Sequence, residues 1–110
     1  MNNLRFRSVA NTDNGDVGSD TIFEYYQEGN LIWADYCGGA VRKGQLVGRM
    51  DEEGGLEFVY QHIDSDGSLK AGRCHSKPII AKGKLRGFSE SWKWFSGDGS
   101  SGESEIELID

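Results

Sequence analysis

Glu90 has the most demanding setting in the chain. In Gly87-Phe88-Ser89-Glu90-Ser91-Trp92-Lys93-Trp94, two-residue spacing puts Phe88, Glu90, Trp92 and Trp94 on one face. Ser89, Ser91 and Lys93 fall on the other. An unpaired carboxylate among large aromatic rings is costly to bury. Glu90 must therefore be paired, hydrogen-bonded, protonated or turned toward a wet cavity, and Arg49, Arg73 and Arg86 are candidate partners. Two other segments show the same mixture. Leu56, Phe58, Tyr60 and His62 share one parity, as do Phe23, Tyr25 and Gln27. A dry core has no use for so many polar tips, whereas a ligand cavity with aromatic walls does. Tyr25, Tyr60, His62, Glu90 and Trp92 are thus the candidate ligand-binding residues. The competing reading is a satisfied polar network that closes one end of a packed core.

Other chemistry finds little support. Cys37, His62, Cys74 and His75 have no C-x-x-C or H-x-x-x-H spacing, and neighbours Cys74 and His75 would face opposite ways on a strand. No metal site is expected. A Cys–His nucleophile needs an electropositive surrounding that the sequence does not show. One carboxylate without an evident partner is a weak general acid. No catalytic residue and no cofactor is assigned. Gly97-Asp98-Gly99-Ser100-Ser101-Gly102 matches G-x-G-x-x-G, but the dinucleotide motif must open a helix. Here ESEIELID follows, alternating like a strand, so the match is expected to be a hairpin loop between the Leu85–Phe95 strand and a terminal strand at Ser104–Ile109. Trp33, Trp92 and Trp94 could stack on a sugar or base, or simply pack the core. Glu103, Glu105, Glu107 and Asp110 read as a solvated strand face.

The elements that carry these residues follow from glycine. There are 16 Gly in 110 residues, and few Gly-free windows could hold a helix of the usual ~11–12 residues. The best of them, LEFVYQHIDSD from Leu56, alternates with period two. Strands are expected at Thr21–Gln27, Leu31–Cys37, Gln45–Asp51, Leu56–Ile63, Leu69–Ser76, Leu85–Phe95 and Ser104–Ile109, with Met1–Ser8 as one more. Asn11–Ser19 reads as a loop. Short turns such as Gly38-Gly39, Lys43-Gly44 and Lys82-Gly83 favour hairpins between sequence neighbours. The fold expected is all-β: a small antiparallel meander barrel, calycin-like, of about eight or more strands. G-x-L-x-G occurs at Gly44–Gly48 and again at Gly83–Gly87, which suggests turn glycines followed by positions of close approach. Cys74 is placed inward as a small buried hydrophobe.

Composition bounds the rest. A length of 110 residues suits one domain, taken as 1–110. Eighteen acidic against twelve basic residues, a net charge of −6, argue against a nucleic-acid partner. No apolar run approaches the ~20 residues of a membrane helix, so no membrane role is expected. Arg5 and Arg7 interrupt the first residues, leaving no secretory h-region. Two cysteines without such a signal suggest a reducing, cytoplasmic setting, although a Cys37–Cys74 disulfide is conceivable.

The pattern Phe23-x-Tyr25-x-Gln27, Trp33-x-x-Tyr36-x-Gly38-Gly39-x-Val41-x-x-Gly44-x-Leu46-x-Gly48, Leu56-x-x-x-Tyr60-x-His62, Gly72-x-Cys74-x-Ser76-x-Pro78, Glu90-x-Trp92-x-Trp94 and Gly102-x-Ser104 resembles a family of short bacterial proteins. That family often carries the label n-acetylglutamate synthase. The label implies acetyl transfer from acetyl-CoA. The R/Q-x-x-G-x-G/A loop on which such transferases cradle pyrophosphate has no counterpart here. Tyr36-x-Gly38 with Gly44-x-Leu46-x-Gly48 is also similar to one MORN-type repeat, which implies a protein-contact hairpin. The expected function is binding of a small molecule in an aromatic-lined interior. A packed module with a protein partner is the alternative, and acyl transfer ranks third.

Overall fold

Alternation of apolar and polar residues carries each glycine-bounded segment into a strand. The computed structural model describes residues 3–11, 20–97 and 99–109. Its strands are β1 (Leu4–Asn11), β2 (Ile22–Glu28), β3 (Leu31–Gly38), β4 (Val41–Met50), β5 (Leu56–Asp64), β6 (Leu69–Ala81), β7 (Lys84–Trp94) and β8 (Ser101–Ile109). All pair antiparallel with their sequence neighbours, and β8 returns to pair with β1, closing a barrel in chain order. There is no helix among the described residues. The expected loop at Asn11–Ser19 falls almost wholly outside them, and Asn11 itself ends β1.

Four strands differ from the sequence expectation by three residues or more at one end. β1 runs on to Asn11 rather than ending at Ser8. β4 begins at Val41 rather than Gln45, because a register shift between Val41 and Lys43 lets pairing start directly after the turn. β6 runs through Pro78 to Ala81 instead of stopping at Ser76. Its pairing with β5 ends at Ser76, while pairing with β7 continues to Ala81. Pro78, lacking an N–H, thus sits where one side of the strand has no neighbour that needs it. β8 starts at Ser101, opposite Lys93, so Gly102 lies inside a strand and the β7–β8 connection is shorter than the glycine pattern implies.

The inward parity is the expected one. Phe23, Tyr25, Leu56, Phe58, Cys74, Phe88, Trp92 and Trp94 are buried, joined by Phe6, Ile32, Tyr36 and Ile106. Tyr60 and Gln27 are half-buried. On β6, Gly72, Cys74 and Ser76 face in, while Leu69, Arg73 and His75 face out. Three glycines of the repeated G-x-L-x-G motif are sites of close approach, Gly48 among them, against Phe58 and the Glu57 carbonyl. A Cβ at Gly44 would collide with the Tyr36 ring, its cross-strand partner. One at Gly87 would collide with the Ile106 carbonyl, beside the bulge where Ile79 and Ile80 face Gly87 and Leu85.

Gly87→Ala should therefore destabilise the barrel by about 1–3 kcal/mol, since the obstacle is backbone and cannot rotate away. Urea unfolding followed by tryptophan fluorescence measures this. An unchanged midpoint would contradict the register described for β7 and β8.

Candidate functional site

Glu90 sits mid-strand on β7, facing the interior at 6% exposure. Register sets its neighbours: Ser76 of β6 lies opposite on one side and Ser104 of β8 on the other. The Ser76 hydroxyl donates to Oε2 at 3.0 Å, and the Ser104 hydroxyl donates to Oε1 at 3.1 Å. Cys74 Sγ lies 3.7 Å from Ser76 Oγ and extends the cluster along β6. Burial pushes the Glu90 carboxyl up to about 7, and the hydrogen bonds from Ser76, Ser104 and Cys74 hold it below the value burial alone would give. The arginine partners expected from the sequence are not used. Arg49 and Arg73 lie on the outer face, bonding Glu57 at 2.6 and 2.8 Å, and Arg86 is exposed. Strand parity explains Arg49 and Arg73, and the β6–β7 bulge, where Ile79 and Ile80 face Gly87 and Leu85, turns Arg86 outward although it shares the parity of Glu90.

Around Glu90 the aromatic rings form a circuit. It leaves β7 at Phe88, which lies 5.6 Å from Phe6 between ring centroids. Phe6 meets Tyr25 edge-on at 5.3 Å. Phe23 stacks on Tyr36 at 4.9 Å. Tyr36 meets His62 at 5.6 Å, and His62 meets Trp94 at 5.7 Å. Trp94 then contacts Trp92 at 5.7 Å, back on β7. Tyr25 and Phe23, 6.4 Å apart, complete the path. Glu90 is the one acidic residue between the two ends of this circuit on β7.

The five residues selected from sequence all line this interior, in two groups. Glu90, Tyr25 and Trp92 belong to the first. The Tyr25 hydroxyl is fully buried and, among the described residues, has no hydrogen-bond partner. Desolvation raises its pKa well above the ordinary tyrosine value, with the Glu90 and Cys74 charges adding to the rise. His62 and Tyr60 form the second group. His62 Nδ1 shares a 2.9 Å hydrogen bond with the Tyr36 hydroxyl, and Tyr60 meets Trp94 edge-on at 5.5 Å. At this end Lys70 pairs with Asp64 at 2.9 Å and lies 6.0 Å from the Trp94 ring centroid.

Sequence reasoning did not select Ser76, Ser104, Tyr36 and Trp94 for the site. Ser76 and Ser104 carry a signal only in retrospect: small hydroxyls on inward parity, at positions whose pairing with Glu90 needs the register. Cys37 is exposed and Cys74 buried, both as free thiols. No cluster of three metal-ligating side chains occurs among the described residues.

A closed, eight-stranded antiparallel meander with an aromatic and polar interior is a calycin-type barrel. Comparison with protein-family models gives one match, to the family described as avidin-like protein, over residues 1–109. The chain belongs to the avidin-like family. No curated protein and no solved structure matches.

The raised Glu90 carboxyl makes stability depend on pH with a definite sign. Below about 4.5 the group is protonated in both folded and unfolded chains. Between there and about 7 only the unfolded chain ionises, so stability falls as pH rises, by about 3 kcal/mol in all. Glu90→Gln carries no such cost. It should match wild type near pH 4 and melt higher at pH 8, with the gap opening across that window. A gap independent of pH would show that Glu90 is ionised and compensated.

Proposed function

We propose that the protein binds one small molecule inside the barrel, with Tyr25, Tyr60, His62, Glu90 and Trp92 as contacts and Ser76, Ser104 and Trp94 beside them. The observation that carries this is a buried Tyr25 hydroxyl left without a partner within range of the Glu90 charge. A finished packing network satisfies such a group, because an unmade buried hydrogen bond costs about 1–3 kcal/mol. Family membership supports the reading, since eight-stranded barrels such as streptavidin and the lipocalins hold a single small ligand in their interior. His62 also lines a surface groove of about 450 Å³ with Gly44, Lys70 and Ser96. Acetyl transfer ranks behind this reading, because no pyrophosphate-cradling loop is present.

Native mass spectrometry of protein purified from its own cells tests the proposal by looking for a retained molecule. Calorimetry with biotin, the ligand of streptavidin, is the first defined probe. Tyr25→Phe should leave the empty barrel as stable or slightly more stable, yet weaken retention of the molecule found. Loss of stability with no change in binding would assign Tyr25 to the core alone.

One observation favours a protein contact as a second role. Trp33, Val47 and Val59 pair in register across the outer face of β3, β4 and β5, and Phe95 lies over the same grooves at 62% exposure. Asp35 bounds this strip at one end, and Arg49 and Arg73 bound it at the other. A second copy turned by a two-fold axis would set acid against base. Sedimentation velocity should then show a dimer that Val47→Asp dissociates; a wild-type monomer at high concentration rejects this reading.

A further inference from the structure

We propose that the interior ligand is a small organic cation, with an ammonium group held by Glu90 and the aromatic rings around it. This rests on the interior-binding reading above and adds the chemical class. The charge inventory is the first argument. Among the described residues no lysine or arginine reaches Glu90; its donors are the hydroxyls of Ser76 and Ser104 and the thiol of Cys74, all neutral. A carboxylate offers about four lone-pair positions, and these donors occupy three. The interior therefore holds a buried acid with spare acceptor capacity and, among the described residues, no counter-charge.

The walls are the second argument. Phe88, Trp92 and Trp94 stand on the same face of β7 as Glu90, and Tyr25 stacks toward Phe88 at a centroid distance of 6.3 Å. Aromatic faces carry partial negative charge and attract cations, most strongly where water is excluded. The Tyr25 hydroxyl oxygen is one more acceptor. An anion would meet Glu90 and these ring faces as repulsion. A neutral apolar guest would leave Glu90 uncompensated. The protein's own Lys70, set against Trp94 at the edge of the ring circuit, is a local example of the same attraction.

The groups facing Glu90 also define how binding depends on pH. They are Tyr25 from β2, Cys74 and Ser76 from β6, and Ser104 from β8. Burial raises both the Tyr25 hydroxyl and the Cys74 thiol, so neither ionises near neutrality. Glu90, with its carboxyl at about 7, is the group that gains charge between pH 6 and 8. Affinity for a permanent cation should rise about tenfold across that interval.

The experiment compares choline with dimethylbutanol, the neutral isostere in which carbon replaces the charged nitrogen. Titration at pH 8 is followed by quenching of Trp92 and Trp94 fluorescence. Choline should bind about tenfold or more tightly than its isostere. Glu90→Gln, checked for folding by its thermal melt, should abolish that preference, and choline affinity for wild type should fall on going to pH 6. Equal binding of the two probes, or a choline preference that survives Glu90→Gln, overturns the proposal. If native mass spectrometry retains a neutral or anionic molecule instead, the cation class fails while interior binding stands. If nothing is retained and neither probe binds, both readings fail.

Discussion

Pairing of β1 with β8 is the constraint on which the interior depends. Closure leaves no free edge in the cycle of strands, and it commits alternate residues of all eight strands to one enclosed space. A one-residue slip in any strand would exchange its inner and outer sets. The glycines at 44 and 87 show how tightly the register is held, since each admits a ring or a carbonyl where a Cβ would collide. Closure also brings Ser76, Glu90 and Ser104 into one cross-strand row.

Within that enclosure, desolvation decides the state of Glu90. In water a glutamate beside two serines would simply ionise. Inside the barrel the loss of hydration outweighs two hydroxyl donors, and the carboxyl titrates near neutrality. No arginine compensates it directly: Arg49 and Arg73 face outward to Glu57, and the bulge in β7 leaves Arg86 exposed. The same burial leaves the Tyr25 hydroxyl without a partner. A buried hydroxyl without a partner and a buried carboxyl without a counter-charge, among the described residues, set this barrel apart from one filled only for stability.

The outside of the barrel obeys a different balance. Glu57 bridges Arg49 and Arg73 at the surface, where ion pairs add little to stability. Beside them runs the apolar row of Trp33, Val47 and Val59. Such a row on an otherwise charged chain needs a reason of its own. It is independent of the interior, since inner and outer side chains alternate along the same strands.

Much of this was legible in the chain itself. Period-two alternation and glycine spacing determine the strands, their antiparallel order and the inward set from Phe23 to Trp94, because those are local properties of the backbone. The choice of Glu90, Tyr25, Tyr60, His62 and Trp92 as interior residues follows from the same parity. What needed tertiary structure was register. Ser76 and Ser104 are 14 residues from Glu90 in either direction, and only the pairing of β6, β7 and β8 sets them opposite it. The ends of β4, β6 and β8 likewise shifted because hydrogen-bond partners on adjacent strands, rather than local composition, decide where a strand stops. Away from the bulges, the sequence alone determines which face each side chain takes; only the closed sheet decides where alternation breaks, as at Arg86, and which side chains meet, because contacts across strands depend on distances that alternation does not encode.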